Sequence, residues 1–323
     1  MTTRRLPRLA AVSLGLGAGV LTGAVVNAQY RLARWESLDY RDLRAPNGRY
    51  LTLPDGAEVH YVEAGSGFPV ILIHGFDYSH HTWRFNQPAL AGRFRAVALD
   101  LPGFGASART RLPRFAIRTQ AGAVRDFIRE LGIDRAHVVG HSLGGTIALR
   151  LALDYPEMAA RLVIVDSPLT APRLPFGLIR RVLGFGPVGP ALVKAVLYYG
   201  FAGGYLLRSG LERSYGPDPV PEGLPAYFER LHRVRGSADT LVAILKSPPV
   251  DPYLEADLPD LRVPLLAVWG GADRVVPVRV ADRLRQLVPT ARVEVLPGAG
   301  HSPHETRPAE FNRLVLEFLA AQS

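Results

Sequence analysis

His137-Val138-Val139-Gly140-His141-Ser142-Leu143-Gly144-Gly145-Thr146-Ile147-Ala148-Leu149 decides the fold. Two valines, a serine framed by glycines at 140 and 144, and an immediate apolar helical pattern read as strand, very tight turn and helix. The turn strains the backbone of Ser142, and side chains at 140 and 144 would strike neighbouring main chain, which glycine avoids. Ser142 then stands above a helix N-terminus, where the dipole and the Leu143 amide favour negative charge on a reacting oxygen. That is a nucleophile elbow.

Upstream, Arg49 to Leu53 and Glu58 to Glu63 flank Pro54-Asp55-Gly56 as a hairpin. Pro69 to Ile73 is a continuous apolar run suited to a buried parallel strand, ending at His74-Gly75-Phe76. A helix is expected from Trp83 to Ala91, a strand from Phe94 to Leu99 closing at Asp100 to Gly105, and a helix from Ile117 to Leu131. Downstream, Leu162 to Val165 is a strand ending at Asp166-Ser167-Pro168. The rhythm then breaks into helical pieces, including 178–183, 192–199 and 227–234, and resumes with a strand at Pro264 to Trp269. A helix at Arg279 to Leu287, a strand at Arg292 to Leu296 and a helix at Pro308 to Leu319 complete the chain. Alternating strands and helices predict a doubly wound, mostly parallel sheet with ligands at the carboxyl ends of its strands.

The 323 residues are 48% hydrophobic and 21% charged, an ordinary globular balance. The net charge of +9 is uneven: residues 1–47 carry seven arginines against three acids, and 169–250 carry ten basic groups against five. Elsewhere the charges nearly cancel. No nucleic-acid motif accompanies the excess, so no nucleic-acid partner is expected and anionic lipid headgroups fit better. Cysteine is absent, which excludes disulfides and thiolate metal sites. Gly65-Ser66-Gly67 lacks the third glycine of a dinucleotide site, and no His-Glu-x-x-His spacing occurs, so neither cofactor nor metal is expected.

Arg4, Arg5 and Arg8 precede an uncharged stretch from Leu9 to Val26, followed by Arg31 and Arg34. Its eighteen residues fit a membrane anchor better than a cleaved export signal, although Val26-Asn27-Ala28 offers a weak cleavage site. The expected partner of this segment is membrane lipid.

A serine hydroxyl needs a base to attack at neutral pH, and an imidazole base needs a carboxylate to fix its tautomer. Ser142, Asp273 and His301 each follow a predicted parallel strand, which brings them to one edge of the sheet. Their order along the chain is that of the α/β-hydrolase arrangement. Asp166 and His304 are the alternative acid and base; Asp166 reads more naturally as a turn cap, and His304, beyond Pro303, as a support. His141 reads as structural.

Taken together, His74-Gly75-Phe76, Asp100 to Gly105, the elbow, the Asp273 loop and the His301 loop resemble the α/β-hydrolase superfamily. The likeness spans Arg49 to Leu319 and is to the lidded branch of serine esterases, lipases and carbon-carbon bond hydrolases. It implies an α/β-hydrolase fold with helices on both faces of the sheet and an inserted helical lid, preceded here by the N-terminal hydrophobic helix. It also implies Ser142 as nucleophile, His301 as base then acid, Asp273 as the acid that orients it, and the Phe76 and Leu143 amides as oxyanion hole. His80, Trp83 and Tyr199 are candidate substrate contacts. Epoxide hydrolases and haloalkane dehalogenases of the superfamily carry an aspartate where this chain has Ser142. The expected organisation is an anchor at 1–30, a linker at 31–47, core at 48–168, lid at 169–255 and core again at 256–323. The expected activity is cleavage of small apolar carboxylic esters. Carbon-carbon or thioester hydrolysis on the same residues, and a slowly turning-over ligand receptor, are the alternatives.

Overall fold

The computed structural model describes residues 22–109, 115–170, 181–246 and 251–321. Eight strands form one sheet in the order β1-β2-β4-β3-β5-β6-β7-β8. They are β1 (Arg49–Thr52), β2 (Glu58–Ala64), β3 (Pro69–Ile73), β4 (Arg95–Leu99), β5 (Ala136–His141), β6 (Ala159–Val165), β7 (Leu265–Gly270) and β8 (Arg292–Leu296). β1 and β2 pair antiparallel, β2 lies antiparallel to β4, and every other pairing is parallel. β5 and β7 are buried along their whole length, as expected of strands covered on both faces.

The helices are α1 (residues 22–35), α2 (Gln87–Ala91), α3 (Ile117–Glu130), α4 (Leu143–Asp154), α5 (Val188–Ala202), α6 (Tyr205–Tyr215), α7 (Leu224–His232), α8 (Ser237–Lys246), α9 (Leu254–Asp257), α10 (Arg279–Leu287), α11 (Pro303–Thr306) and α12 (Pro308–Ala320). Their packing makes two apolar layers. Phe127 of α3, Ile147 and Leu151 of α4, and Leu284 of α10 pack on one face with Ile71, Val138 and Trp269. Leu90 of α2 and Phe311 and Val315 of α12 cover the other face with Leu72, Val139 and Val268. The α5 to α8 helices are inserted between β6 and β7 and have a small core of their own, in which Leu211, Tyr215 and Phe228 pack with Tyr78 of the core domain. Where the chain returns from the insertion, Arg150 of α4, 1% exposed, grips Asp251 at 2.6 Å and Asp257 at 2.8 Å.

Two expectations need correction or restriction. The helix read over Trp83 to Ala91 is instead a 3-10 turn at His80–Trp83 followed by α2, because Pro88 has no N–H to continue a helix and is accepted only in a first turn. Asn86 sits at the break and is bonded to His304 O and Asn312 Oδ1. The N-terminal anchor expectation falls largely outside the described residues, as does the first half of the 178–183 helix, whose residues 181–183 are helical. Among the described residues no helix is long and apolar enough to cross a membrane. The described part of α1 buries Ala28 and Leu32, and touches α5 through Gln29 Nε2 to Ala191 O (2.9 Å) and the edge contact of Trp35 with Tyr198.

Candidate active site

β5 ends at His141, and the chain reverses at Ser142, whose φ of 50° lies in the left-handed region. The flanking glycines are steric necessities. A Cβ on Gly140 would come within 2.3 Å of Gly144 O, and one on Gly144 within 2.3 Å of Ile73 O. The Ser142 amide donates to Val165 O at 2.7 Å, anchoring the turn to β6, and α4 begins at the next residue. The nucleophile candidate is therefore fixed by main chain on both sides.

Ser142 Oγ lies 2.9 Å from His301 Nε2, and His301 Nδ1 lies 2.7 Å from Asp273 Oδ2. Asp273 follows β7, and its Oδ1 accepts the amides of Val275 (2.6 Å) and Val276 (2.9 Å). His301 follows β8; its amide donates to Ser214 O of α6 at 2.7 Å, and its carbonyl accepts from His141 Nε2 at 2.8 Å. His141 thus braces the loop of the neighbouring imidazole. Burial pushes its pKa well below the ordinary imidazole value, which keeps it neutral and able to serve as a single donor. The loop after β3 crosses directly over the serine, since a Cβ on Gly75 would approach Ser142 Cβ to 3.2 Å. Asp77, with φ 57°, completes this bend and pairs through Oδ2 with His232 Nε2 of α7 at 3.2 Å. A cavity lined by Asp77, Tyr78, Phe104, Arg109, His232 and Leu241 opens between that loop and the insertion.

The structure brings Ser142, His301 and Asp273 together, with Leu143 opening α4 and Phe76 on the crossing loop. The three candidate substrate contacts lie in three different settings. Trp83 is 1% exposed and packs beside His304 and Phe311, so its indole belongs to the core. The 3-10 turn, which a smooth helix would not have made, rotates it there. His80 is drawn inward by Asp100, its Nδ1 2.9 Å from Oδ1. Tyr199 is exposed on α5, with its ring against Tyr198.

Sequence spacing missed two buried polar groups. Asp100 accepts from His60 Nδ1, His80 Nδ1, the His80 amide and the Ala106 amide, which hold its carboxyl well below the usual range. Glu305 is met by Arg84 (2.5 Å), Tyr215 OH (2.6 Å) and Thr82 Oγ1 (2.7 Å), and His304 Nε2 donates to the same threonine at 2.6 Å. His304 therefore supports the His301 loop without reaching the serine. His60, His80 and Asp100 form one cluster of metal-ligand type, and Asp166, Asp273 and His301 another. In the first, hydrogen bonds already occupy both Asp100 oxygens; in the second, His301 has one ring nitrogen on Asp273 and the other on Ser142.

Comparison with known proteins agrees with this architecture. A family model described as alpha/beta hydrolase family matches residues 70–314. A soluble epoxide hydrolase of Corynebacterium is 31% identical over 288 residues, covering 82% of this chain and 95% of the relative. A 2-hydroxy-6-oxo-2,4-heptadienoate hydrolase of Pseudomonas putida is 28% identical over 285 residues, covering 87% and 99%. The crystal structure of a membrane phospholipase A, a bacterial virulence factor, is similar at 28% identity and a TM-score of 0.67, covering 98% of both chains.

Proposed function

Because the chain belongs to the alpha/beta hydrolase family, we propose that it is a serine hydrolase that cleaves carboxylic esters of apolar acyl chains through an acyl-enzyme. The observation that carries this reading is the unbroken line from Ser142 Oγ through His301 to Asp273, with contacts of 2.9 and 2.7 Å. His301 Nε2 takes the serine proton as Oγ attacks the ester carbonyl, and the Phe76 and Leu143 amides receive the oxyanion. His301 then gives that proton to the departing alcohol, leaving Ser142 acylated. Water, deprotonated by the same nitrogen, displaces the acid and restores the serine. Asp273 holds the ring with Nδ1–H towards it and offsets the imidazolium charge. Epoxide opening by superfamily members that carry aspartate at this position is not available to a serine.

The apolar acyl preference and a membrane setting rest on the insertion, which we read as a lid. Only Gly189 and Ala195 of the fifteen-residue α5 are buried, although the helix carries one charge. Val26, Tyr30, Phe185, Val188, Val196, Tyr199 and Tyr205, seven of the twelve large exposed apolar residues among the described residues, lie on α1 or on the stretch from Phe185 to α8. The basic excess is concentrated in the same two parts of the chain. A lipid surface suits that combination of apolar and cationic groups. The likeness to the membrane phospholipase A extends across the N-terminal segment as well and supports glycerolipid esters as the substrate class. Residues 1–30 would serve as the anchor to that surface.

A fluorophosphonate probe should label the wild-type protein and leave Ser142→Ala unlabelled; equal labelling of the variant would reject the nucleophile. The likeness to the heptadienoate hydrolase favours carbon-carbon cleavage as a second reading. Rates on ester, thioester and vinylogous diketone substrates separate the two.

A further inference from the structure

The end of β6 carries a carboxylic acid for which the reaction above has no use. Asp166 is fully buried, and its φ of 46° is a conformation seldom adopted by residues other than glycine. Its Oδ1 accepts the Gly270 amide at 2.8 Å, whereas its buried Oδ2 has no conventional donor within reach. One side-chain atom from each of Asp166, Asp273 and His301 lies within 4.8 Å of the other two. The expected turn cap is therefore something different: it reaches across to the β7 turn and meets the candidate acid of the triad.

Two ionised carboxylates cannot share such a space away from water, so one of them keeps its proton. The local donors decide which. Asp273 has what a carboxylate requires, two amides on Oδ1 and an imidazole N–H on Oδ2. Asp166 has a single amide and an oxygen that is satisfied only by carrying hydrogen. We infer that Asp166 is a neutral carboxylic acid whose Oδ2–H donates to the Asp273 carboxylate, making it a positioning residue that acts on His301 through Asp273. Burial and the neighbouring Asp273 charge push the Asp166 carboxyl well above the usual carboxylate range, in the same direction. The inference rests on the serine-hydrolase reading for its kinetic consequence, but not for the location of the proton.

Asp166→Asn keeps the size, the acceptor for Gly270 and a donor for Asp273; Asp166→Ala keeps none of them. Ester turnover should stay within about threefold of wild type in the Asn variant and fall roughly tenfold to a hundredfold in the Ala variant, with KM unchanged in both. Difference infrared spectra at neutral pH, wild type minus Asp166→Asn, should contain the C=O stretch of a protonated carboxylic acid. Absence of that band, or an Asn variant as impaired as the Ala variant, overturns the inference. The infrared measurement needs no substrate. A wild-type protein inert to esters and to fluorophosphonate would thus remove the hydrolase reading while the band still decides whether Asp166 is neutral.

Discussion

Replacing Gly300 by alanine tests whether the insertion helps to place His301, the proposed base. A Cβ at 300 would stand 2.5 Å from Tyr215 O and 2.7 Å from Ser214 O, where ordinary contact begins at 3.4 Å. Both obstacles are main-chain atoms at the end of α6, so neither yields by a rotamer change. The His301 loop and α6 must separate by about 0.9 Å, the shortfall at Tyr215 O. Such overpacking costs about 1–3 kcal/mol. The adjacent bond from the His301 amide to Ser214 O, 2.7 Å long, would be lost with it at about 1 kcal/mol. A displacement near 1 Å carries His301 Nε2 beyond hydrogen-bond reach of Ser142 Oγ, from a starting distance of 2.9 Å. Turnover and the rate of fluorophosphonate labelling should fall by roughly a hundredfold, and the melting temperature by a few degrees. Gly210→Ala, on α6 where a Cβ meets nothing within 4 Å, is the control and should leave turnover intact. A Gly300→Ala protein with wild-type kinetics and melting would refute the claim that α6 sets the position of His301.

Acid should destabilise the fold through histidines held neutral. Burial lowers His74 from 6.5 to about 4, while its Nδ1–H donates to Gly75 O and its Nε2 accepts the Leu101 amide. The unfolded chain protonates first, so this contribution is complete above pH 6.5 and is lost as pH falls towards 4, by about 3 kcal/mol. His81 and His137, both lowered to about 4, act with the same sign, and urea midpoints that stay level between pH 7 and 4.5 would contradict this. Arg150→Met leaves Asp251, whose side chain is 2% exposed, without its close cation, and should cost about 3 kcal/mol in urea unfolding with little change in Ser142 labelling.

The parts of this fold that were legible in the sequence are those in which the signal is local. The bounds of β3, α10 and β8 follow from a continuous apolar run, an amphipathic period and flanking turn residues, and the elbow from its two glycines. The separation of Ser142, Asp273 and His301 was bridged by one rule, that parallel strands present their carboxyl ends at one edge. Contacts that depend on which loops face each other carried no such rule. Asp166 resembles a turn cap until β6 and β7 are known to be neighbours. Glu305 is separated from Thr82 by 223 residues and from Tyr215 by 90, and no spacing announces either pairing. Trp83 follows the loop after β3 in sequence, yet the turn that seats it against Phe311 depends on Pro88 and on Asn86 finding partners on α11 and α12.

The insertion divides into two halves with different mechanical consequences. α6 is joined to the His301 loop by the Ser214 carbonyl, by Ser214 Oγ with Ser302 Oγ at 3.0 Å, and by Tyr215 with Glu305. α7 is joined to the loop after β3 by His232 with Asp77, by Tyr227 with Ser79 at 2.5 Å, and by the stacking of Tyr227 on His81. Moving either helix disturbs groups that must stay within hydrogen-bond distance for the proposed chemistry. Among the described residues α5 has no such tie to the serine or the imidazole; it buries two residues and runs beside α1 through Gln29 and Trp35. α5 and α1 are also the helices that carry exposed apolar side chains, Val26 and Tyr30 on α1 and Val188, Val196 and Tyr199 on α5.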